Sequence, residues 1–376
     1  MQAIYLDYNA TTPIAKEVAD EMKPYLYDYF GNPSSSHIYG RACKKAVDKG
    51  RKQLAALLNC DVSEVIFTSG GTESNNYAIK GYAFANKSKG NHIITTSIEH
   101  PAVSEVCKYL ESEGFEVTYL PVDGTGRVQV ADVEAAIRPE TILISVMYAN
   151  NEVGTLQPIS EISELAKKHG IAVHSDCSQA VGKVPVDIQK MGVDLLTVAG
   201  HKFYGPKGIG ALYIGKGIKL QKLIHGADHE NNLRAGTENV LEIVGLGRAA
   251  KLAKANLETS FVHDKSLVNR LKEALSILDD IQFNGNKDFC LPNTLSVSFK
   301  NIEANTLLAN LPHVAASAGA ACHTDSISVS ATLAAMNLDK AYAMGTIRFS
   351  VGKYNTEDEI DQAAEAIIEA VNKLRV

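Results

Sequence analysis

Ile142-Leu143-Ile144-Ser145-Val146-Met147, the segment from Ile159 to His169, Gly170, and Ile171-Ala172-Val173-His174 together decide how this chain is built. A β-branched run leads into a segment that puts Ile159, Ile162, Leu165 and Ala166 on one helical face. Gly170 supplies the stop, and a second β-branched run follows. Similar strand-like runs at Val65–Thr68, His92–Thr96, Leu195–Val198 and Ala211–Ile214 alternate with helix-period segments. The alternation predicts an α/β layer around a largely parallel sheet, with ligands gathered at the carboxyl ends of its strands.

Beyond about residue 250 the rhythm changes. A helical segment, Ala250–Leu278, precedes a strand-like run, Asn293–Phe299. The chain then finishes with an amphipathic helix whose stripe is Ile360, Ala363, Ala364, Ile367, Ile368, Val371 and Leu374. Thr356 and Glu359 read as its capping box. These patterns predict a large domain over residues 13–250 and a smaller α+β domain from residues 1–12 and 251–376.

At 376 residues, 45% hydrophobic and 21% charged, the chain can bury a large core. A formal net charge of −6 argues against a strongly basic surface, so direct nucleic-acid binding is not expected. No apolar run is long enough to span a bilayer, and the first residues lack a secretory pattern. The six cysteines form no Cys-x-x-Cys pair and suggest neither a metal site nor a disulfide framework. Reduced thiols in a cytoplasm are the expectation.

Chemistry concentrates in two segments. His174-Ser175-Asp176-Cys177-Ser178-Gln179 ends a strand-like run on an acid, and Ala199-Gly200-His201-Lys202 ends another on a lysine. A lysine able to form a Schiff base with an aldehyde, and a carboxylate able to keep a pyridine nitrogen protonated, are what pyridoxal 5'-phosphate requires. Either residue alone has an ordinary reading, Asp176 as a helix cap and Lys202 as a solvated or phosphate-contacting lysine. Their combination points to amino-acid chemistry.

Thr68-Ser69-Gly70-Gly71-Thr72-Glu73 follows a strand and opens a helix, so its backbone N–H groups and the Thr72 hydroxyl suit a phosphate. His100 follows another strand end; its ring could stack on a flat cofactor, although a lone histidine is more often structural. Gln179 could address a ring hydroxyl. Arg348 is either a carboxylate clamp or a surface charge on a strand. Cys322 sits in a run of small residues, Ala315 to Ala321, with His323 beside it to favour the thiolate. A buried free cysteine is the ordinary alternative.

Taken together these segments resemble the cysteine desulfurase and selenocysteine lyase family, class V of the fold-type I pyridoxal-phosphate enzymes. The resemblance runs nearly end to end, through Tyr5–Pro13, Gly31–Ser35, Gly70–Glu73, Glu99-His100, Ala149–Gly154, Asp176–Gln179, His201-Lys202, Arg234–Thr237 and Arg348. It implies a mainly parallel seven-stranded sheet in the large domain and a mobile cysteine segment carried by the small one. It also implies that Lys202 holds the cofactor covalently, Asp176 meets the pyridine nitrogen, and His100 stacks on the ring. Gln179 and Asn150 would address the ring hydroxyl and its surroundings. Gly71, Thr72 and His201 would hold the phosphate, with Thr237 reaching the partner's phosphate in a homodimer. Asn9, Asn150 and Arg348 would bind the substrate carboxylate, and Cys322 would accept sulfur from L-cysteine for a further acceptor protein.

Three positions depart from the family pattern. Ala199 stands where many desulfurases have serine, Gly226-Ala227-Asp228-His229-Glu230 replaces a glycine-rich segment, and the loop Gly319–Asp325 is closer to selenocysteine lyases. Pro101, where animal-type lyases tend to carry an acid, points the other way. The expected activity is conversion of L-cysteine to L-alanine with a persulfide on Cys322. A selenocysteine lyase and a non-catalytic scaffold are the alternatives.

Overall fold

The structure is a computed structural model that describes residues 3–375 except 324 and 325, and omits the side chains of 320–328. Seven strands form its main sheet in the order Val65–Thr68, Gly210–Ile214, Leu195–Ala199, Ala172–Asp176, Thr141–Ser145, His92–Thr96 and Glu116–Leu120. Gly210–Ile214 runs antiparallel to both neighbours, and every other pair is parallel. This is the expected fold-type I sheet. Six of the seven strands are buried at every residue, which is why they read as continuous apolar runs rather than alternating ones.

The strand Glu116–Leu120 escaped the sequence reading because it lies at the edge, with only Leu120 buried. The Asp176 strand runs two residues further than its β-branched core suggests, since Ser175 and Asp176 find partners inside the protein.

A second, four-stranded antiparallel sheet orders Ser317–Ala318, Thr346–Ser350, Thr294–Phe299 and Ile281–Asn284. The helix Glu357–Leu374 covers it, opened by the capping box of Thr356 and Glu359. Ile4 and Leu6 enter the same core as Leu267, Leu271, Phe349 and Ile367, and Ile4–Tyr5 pairs with Val314–Ala315. The first residues of the chain therefore pack with its last third.

The helix expected from Ala250 begins at Val240 and runs to Leu275. Gly245 and Gly247 weaken its sequence signal, yet they serve close packing: a Cβ on Gly247 would lie 2.4 Å from Gly50 Cα of the helix Ile38–Leu58. The helix carries the chain without a break through position 250 and into the small core. No helix among the described residues is long and apolar enough to cross a membrane.

The segment Gly226–Glu230 is anchored from below. Arg51 donates to both Glu230 carboxylate oxygens at 2.6 and 2.7 Å and to Val65 O at 2.7 Å. Glu230 also accepts from Phe67 N at 2.8 Å, and the guanidinium lies 4.5 Å from the Phe67 ring centre. Glu230, Asn231 and Asn232 are all left-handed, with φ of 49°, 55° and 63°. Such a conformation costs about 1 kcal/mol for a residue such as Glu230 and less for asparagine, and the buried ion pair helps to hold it at Glu230. Removing one partner strands the other charge. Arg51→Met is expected to lower unfolding stability by about 3–5 kcal/mol in urea denaturation, whereas a loss below about 1 kcal/mol would show the pair to be dispensable.

Candidate active site

Neighbouring parallel strands bring the acid and the lysine to one place. Asp176, the last residue of its strand, sits in register with Thr197, and Leu195–Ala199 passes directly into the tight turn Gly200–Lys202. Next to them Gly71 opens the helix Gly71–Asn86 and His100 caps the helix Pro101–Ser112, its Nδ1 accepting from Ala102 N at 3.1 Å. Gly71, Thr72, His100, Asp176, Gln179, His201 and Lys202 line a single cleft. Sequence reasoning named all seven.

Gly70 has a φ of 153°, a conformation that side chains rarely adopt, and it turns the chain into that helix. A Cβ on Gly71 would approach Ser178 Oγ to 3.0 Å. The glycine pair therefore lets the first helical turn form the wall itself, exposing backbone donors at the positive end of a sixteen-residue helix.

Asp176 is buried. One oxygen accepts from Asn75 Nδ2 at 2.6 Å and the other from Ser178 N at 2.9 Å. Asn75 Oδ1 is itself buried without a partner among the described residues. Each Asp176 oxygen retains capacity for a further donor from the cleft.

Lys202 Nζ donates to Asn9 O at 2.7 Å and Ala10 O at 2.9 Å. Burial, reinforced by the Arg348 guanidinium, pushes its pKa down to about 8, against the opposing pull of Asp176 and Asp7. His201 Nδ1 lies 3.1 Å from Thr11 Oγ1, and burial beside Lys202, Lys207 and Lys183 drives it to about 4. Burial also lowers His100, with Asp176 opposing and Lys202 assisting. Behind the wall Glu99 is raised to about 8 by burial, accepting from Thr96 Oγ1 at 2.7 Å and Met147 N at 3.0 Å.

The remaining expected site residues stand elsewhere. Asn150 is fully buried behind the cleft: its oxygen accepts from Glu152 N and Val153 N, and its amide nitrogen reaches Ile98 O and Thr332 Oγ1. Its neighbours Ala149 and Asn151 line the cleft. Asn9 is buried at the junction beside Lys202. Arg348 donates to Asn151 O at 2.8 Å, to Asp7 at 2.7 Å and to Ser317 Oγ at 3.0 Å, leaving Nε buried and unpartnered among the described residues. Thr237 is exposed and lies outside the cleft. The side chain of Cys322 lies outside the described residues; its backbone belongs to the strand Ala320–His323, paired with Ser326–Val329.

Sequence reasoning missed Asn75, Ser178, Asn151 and Lys183 as parts of the site. Asn75 could have been found, since it lies one helical turn after Gly71 and so shares its face. Ser178 stands inside the acid-bearing motif already singled out.

A lysine and an acid at adjacent strand ends, facing a helix N-terminus across a cleft, define the site of a fold-type I enzyme. Residues 4–363 match the family model described as aminotransferase class-V. The cysteine desulfurase IscS of Methanosarcina thermophila is 48% identical over 376 residues, covering 100% of this chain and 93% of the relative. A solved NifS-like protein superposes with a TM-score of 0.94 at 39% identity, covering 99% of this chain and 100% of that one. A structure titled SspA in complex with cysteine gives a TM-score of 0.82 at 38% identity, covering 94% and 99%. The chain belongs to the aminotransferase class-V family and, within it, to the cysteine desulfurases.

The depressed pKa of Lys202 can be read in the protein freed of cofactor. As pH rises, Lys202 should lose its proton near 8 while surface lysines wait until about 10.4. Peptide mapping after pulse acylation across pH should find half-maximal labelling of Lys202 near 8. Half-labelling above about 10 would contradict the assignment.

Proposed function

We propose that this enzyme uses pyridoxal 5'-phosphate to take sulfur from L-cysteine onto Cys322, releasing L-alanine. The observation that carries the reading is the meeting of Asp176, Lys202 and the Gly71 helix terminus in one cleft. The donor set fits the cofactor: Lys202 offers a low-pKa amine, Asp176 has acceptor capacity for a protonated ring nitrogen, and the first turn after Gly70 offers backbone N–H groups to a phosphate. His100 would stack on the ring, and Thr72 and His201 would assist at the phosphate. When bound, the cofactor supplies a ring that withdraws electrons from the substrate's α-carbon.

The protein's own residues do the rest. Arg348, whose Nε has no partner among the described residues, would donate to the substrate carboxylate, with help from Asn9 and the turn at Asn150. With a pKa of about 8, Lys202 Nζ is unprotonated in roughly one molecule in ten at pH 7, against about one in a thousand or fewer for an ordinary lysine. It is therefore suited to take the proton from the substrate's Cα. Cys322, as thiolate, attacks the substrate sulfur: an S–S bond forms, the Cβ–S bond breaks with its electron pair left on carbon, Cβ takes up a proton, and Cα regains the proton that Lys202 removed, completing alanine. The outer sulfur of the Cys322 persulfide then passes to an acceptor protein.

Residues 13–250 would serve as the cofactor-binding domain, and residues 1–12 with 251–376 as the unit that carries Cys322. Thr237, exposed and away from its own cleft, fits a role at the partner's phosphate in a homodimer. A cytoplasmic setting suits a reactive persulfide. The relative titled in complex with cysteine supports this substrate.

Alanine formation and protein persulfide, followed together with L-cysteine as substrate, test the reading. Cys322→Ser should keep the bound cofactor's colour and lose persulfide, with alanine formation falling at least about 100-fold. Normal sulfur transfer by this variant would refute the role of Cys322. Lys202→Ala should lose the colour of the lysine-bound cofactor, and an unchanged spectrum would refute that attachment.

A further inference from the structure

Lys183 is a second buried lysine beside Lys202, and neither the cofactor nor the substrate reading uses it. It sits one helical turn's spacing after Gln179, only 8% exposed. Its Nζ donates to Gln179 Oε1 at 2.7 Å and to Asn9 Oδ1 at 2.9 Å. Gln179 Nε2 donates in turn to Asn9 O at 2.8 Å, the same carbonyl that receives Lys202 Nζ.

A carboxamide can present either its oxygen or its nitrogen to a cleft, and nothing in its shape chooses between them. Lys183 makes the choice. It meets two oxygens as a donor, so Gln179 must turn Oε1 toward it and Nε2 away. One Nε2 hydrogen is spent on Asn9 O, leaving the other without a partner among the described residues, on a side chain that lines the cleft. The Asn9 side chain is fixed by the same Nζ, with Asn293 Nδ2 at 3.1 Å on the same oxygen.

We infer that Lys183 is a positioning residue for the reaction: by setting the polarity of the Gln179 carboxamide and pinning Asn9, it presents an N–H donor to the cofactor and fixes the carbonyl beside Lys202. This rests on the cofactor reading above. Lys183 is faced by Lys202, Arg348 and, from the long helix, Asp264, whose Oδ1 is buried and unpartnered among the described residues. Lys202 is faced by Arg348, Asp176 and Asp7, and His201 feels both lysines. Loss of the Gln179 donor destabilises an anionic ring oxygen, which raises the pH at which the Lys202–cofactor linkage gives up its proton.

The test is a pH titration of bound-cofactor colour in holoenzyme, for wild type, Lys183→Met and Lys183→Arg, with thermal melts alongside. Lys183→Met should retain cofactor while its midpoint rises by roughly one unit. Lys183→Arg, which keeps N–H donors at this position, should stay close to wild type. Should Lys183→Met fail to fold, Lys183→Gln takes its place: its own carboxamide can face either way, so it should shift the midpoint with the same sign. A folded neutral variant whose midpoint moves by less than about 0.2 unit, even with a lower melting temperature, would overturn the inference and leave Lys183 structural only. Wild-type protein that shows no lysine-bound colour would instead overturn the cofactor reading itself.

Discussion

Everything at this site hangs from Asn9. Its carbonyl receives Gln179 and Lys202, its side-chain oxygen receives Lys183 and Asn293, and its amide nitrogen reaches Thr294 Oγ1 and Asn151 O. Its backbone N–H goes to Ser350 Oγ. One residue, 1% exposed, thus joins the acid-bearing segment, the lysine turn, the second sheet and the turn at Asn150. A buried polar network of this kind is costly when half-satisfied and rigid when complete. Its partners come from opposite ends of the chain, so the carbonyl seats of Lys202 depend on the packing of the first residues against the last third.

The electrostatics follow from that assembly. Lys202, Lys183 and Arg348 converge where water is scarce, opposed by Asp176, Asp7 and Asp264. Burial lowers the lysines because a charge loses more hydration than its neighbours return. The same environment keeps His100 and His201 below their ordinary values. The site therefore offers flat histidines of lowered basicity and a lysine ready to shed its proton.

Much of this was legible in the chain. The buried strands announced themselves because, covered on both faces, they carry unbroken β-branched runs; two matched their expected bounds residue for residue, at Val65–Thr68 and His92–Thr96. Asp176 and Lys202 were legible because each stands just where such a run stops. The edge strand Glu116–Leu120 was not, since solvent on one side dilutes its pattern. Nor was the start of the helix at Val240, because glycines that serve contact with a neighbouring helix look locally like breaks. The spacing of Asn75 from Gly71 places it on the cleft side of its helix, but its hydrogen bond to Asp176 and that of Lys183 to Asn9 join residues distant in sequence, which no local pattern reveals.

Lys202 is the proposed covalent seat of the cofactor in this cleft. Incubation with pyridoxal 5'-phosphate, reduction with borohydride and mass mapping of peptides test that most directly. The added mass should fall on the peptide carrying Lys202 and be absent from those carrying Lys183 and Lys207. No added mass, or its appearance on another lysine, would contradict the account.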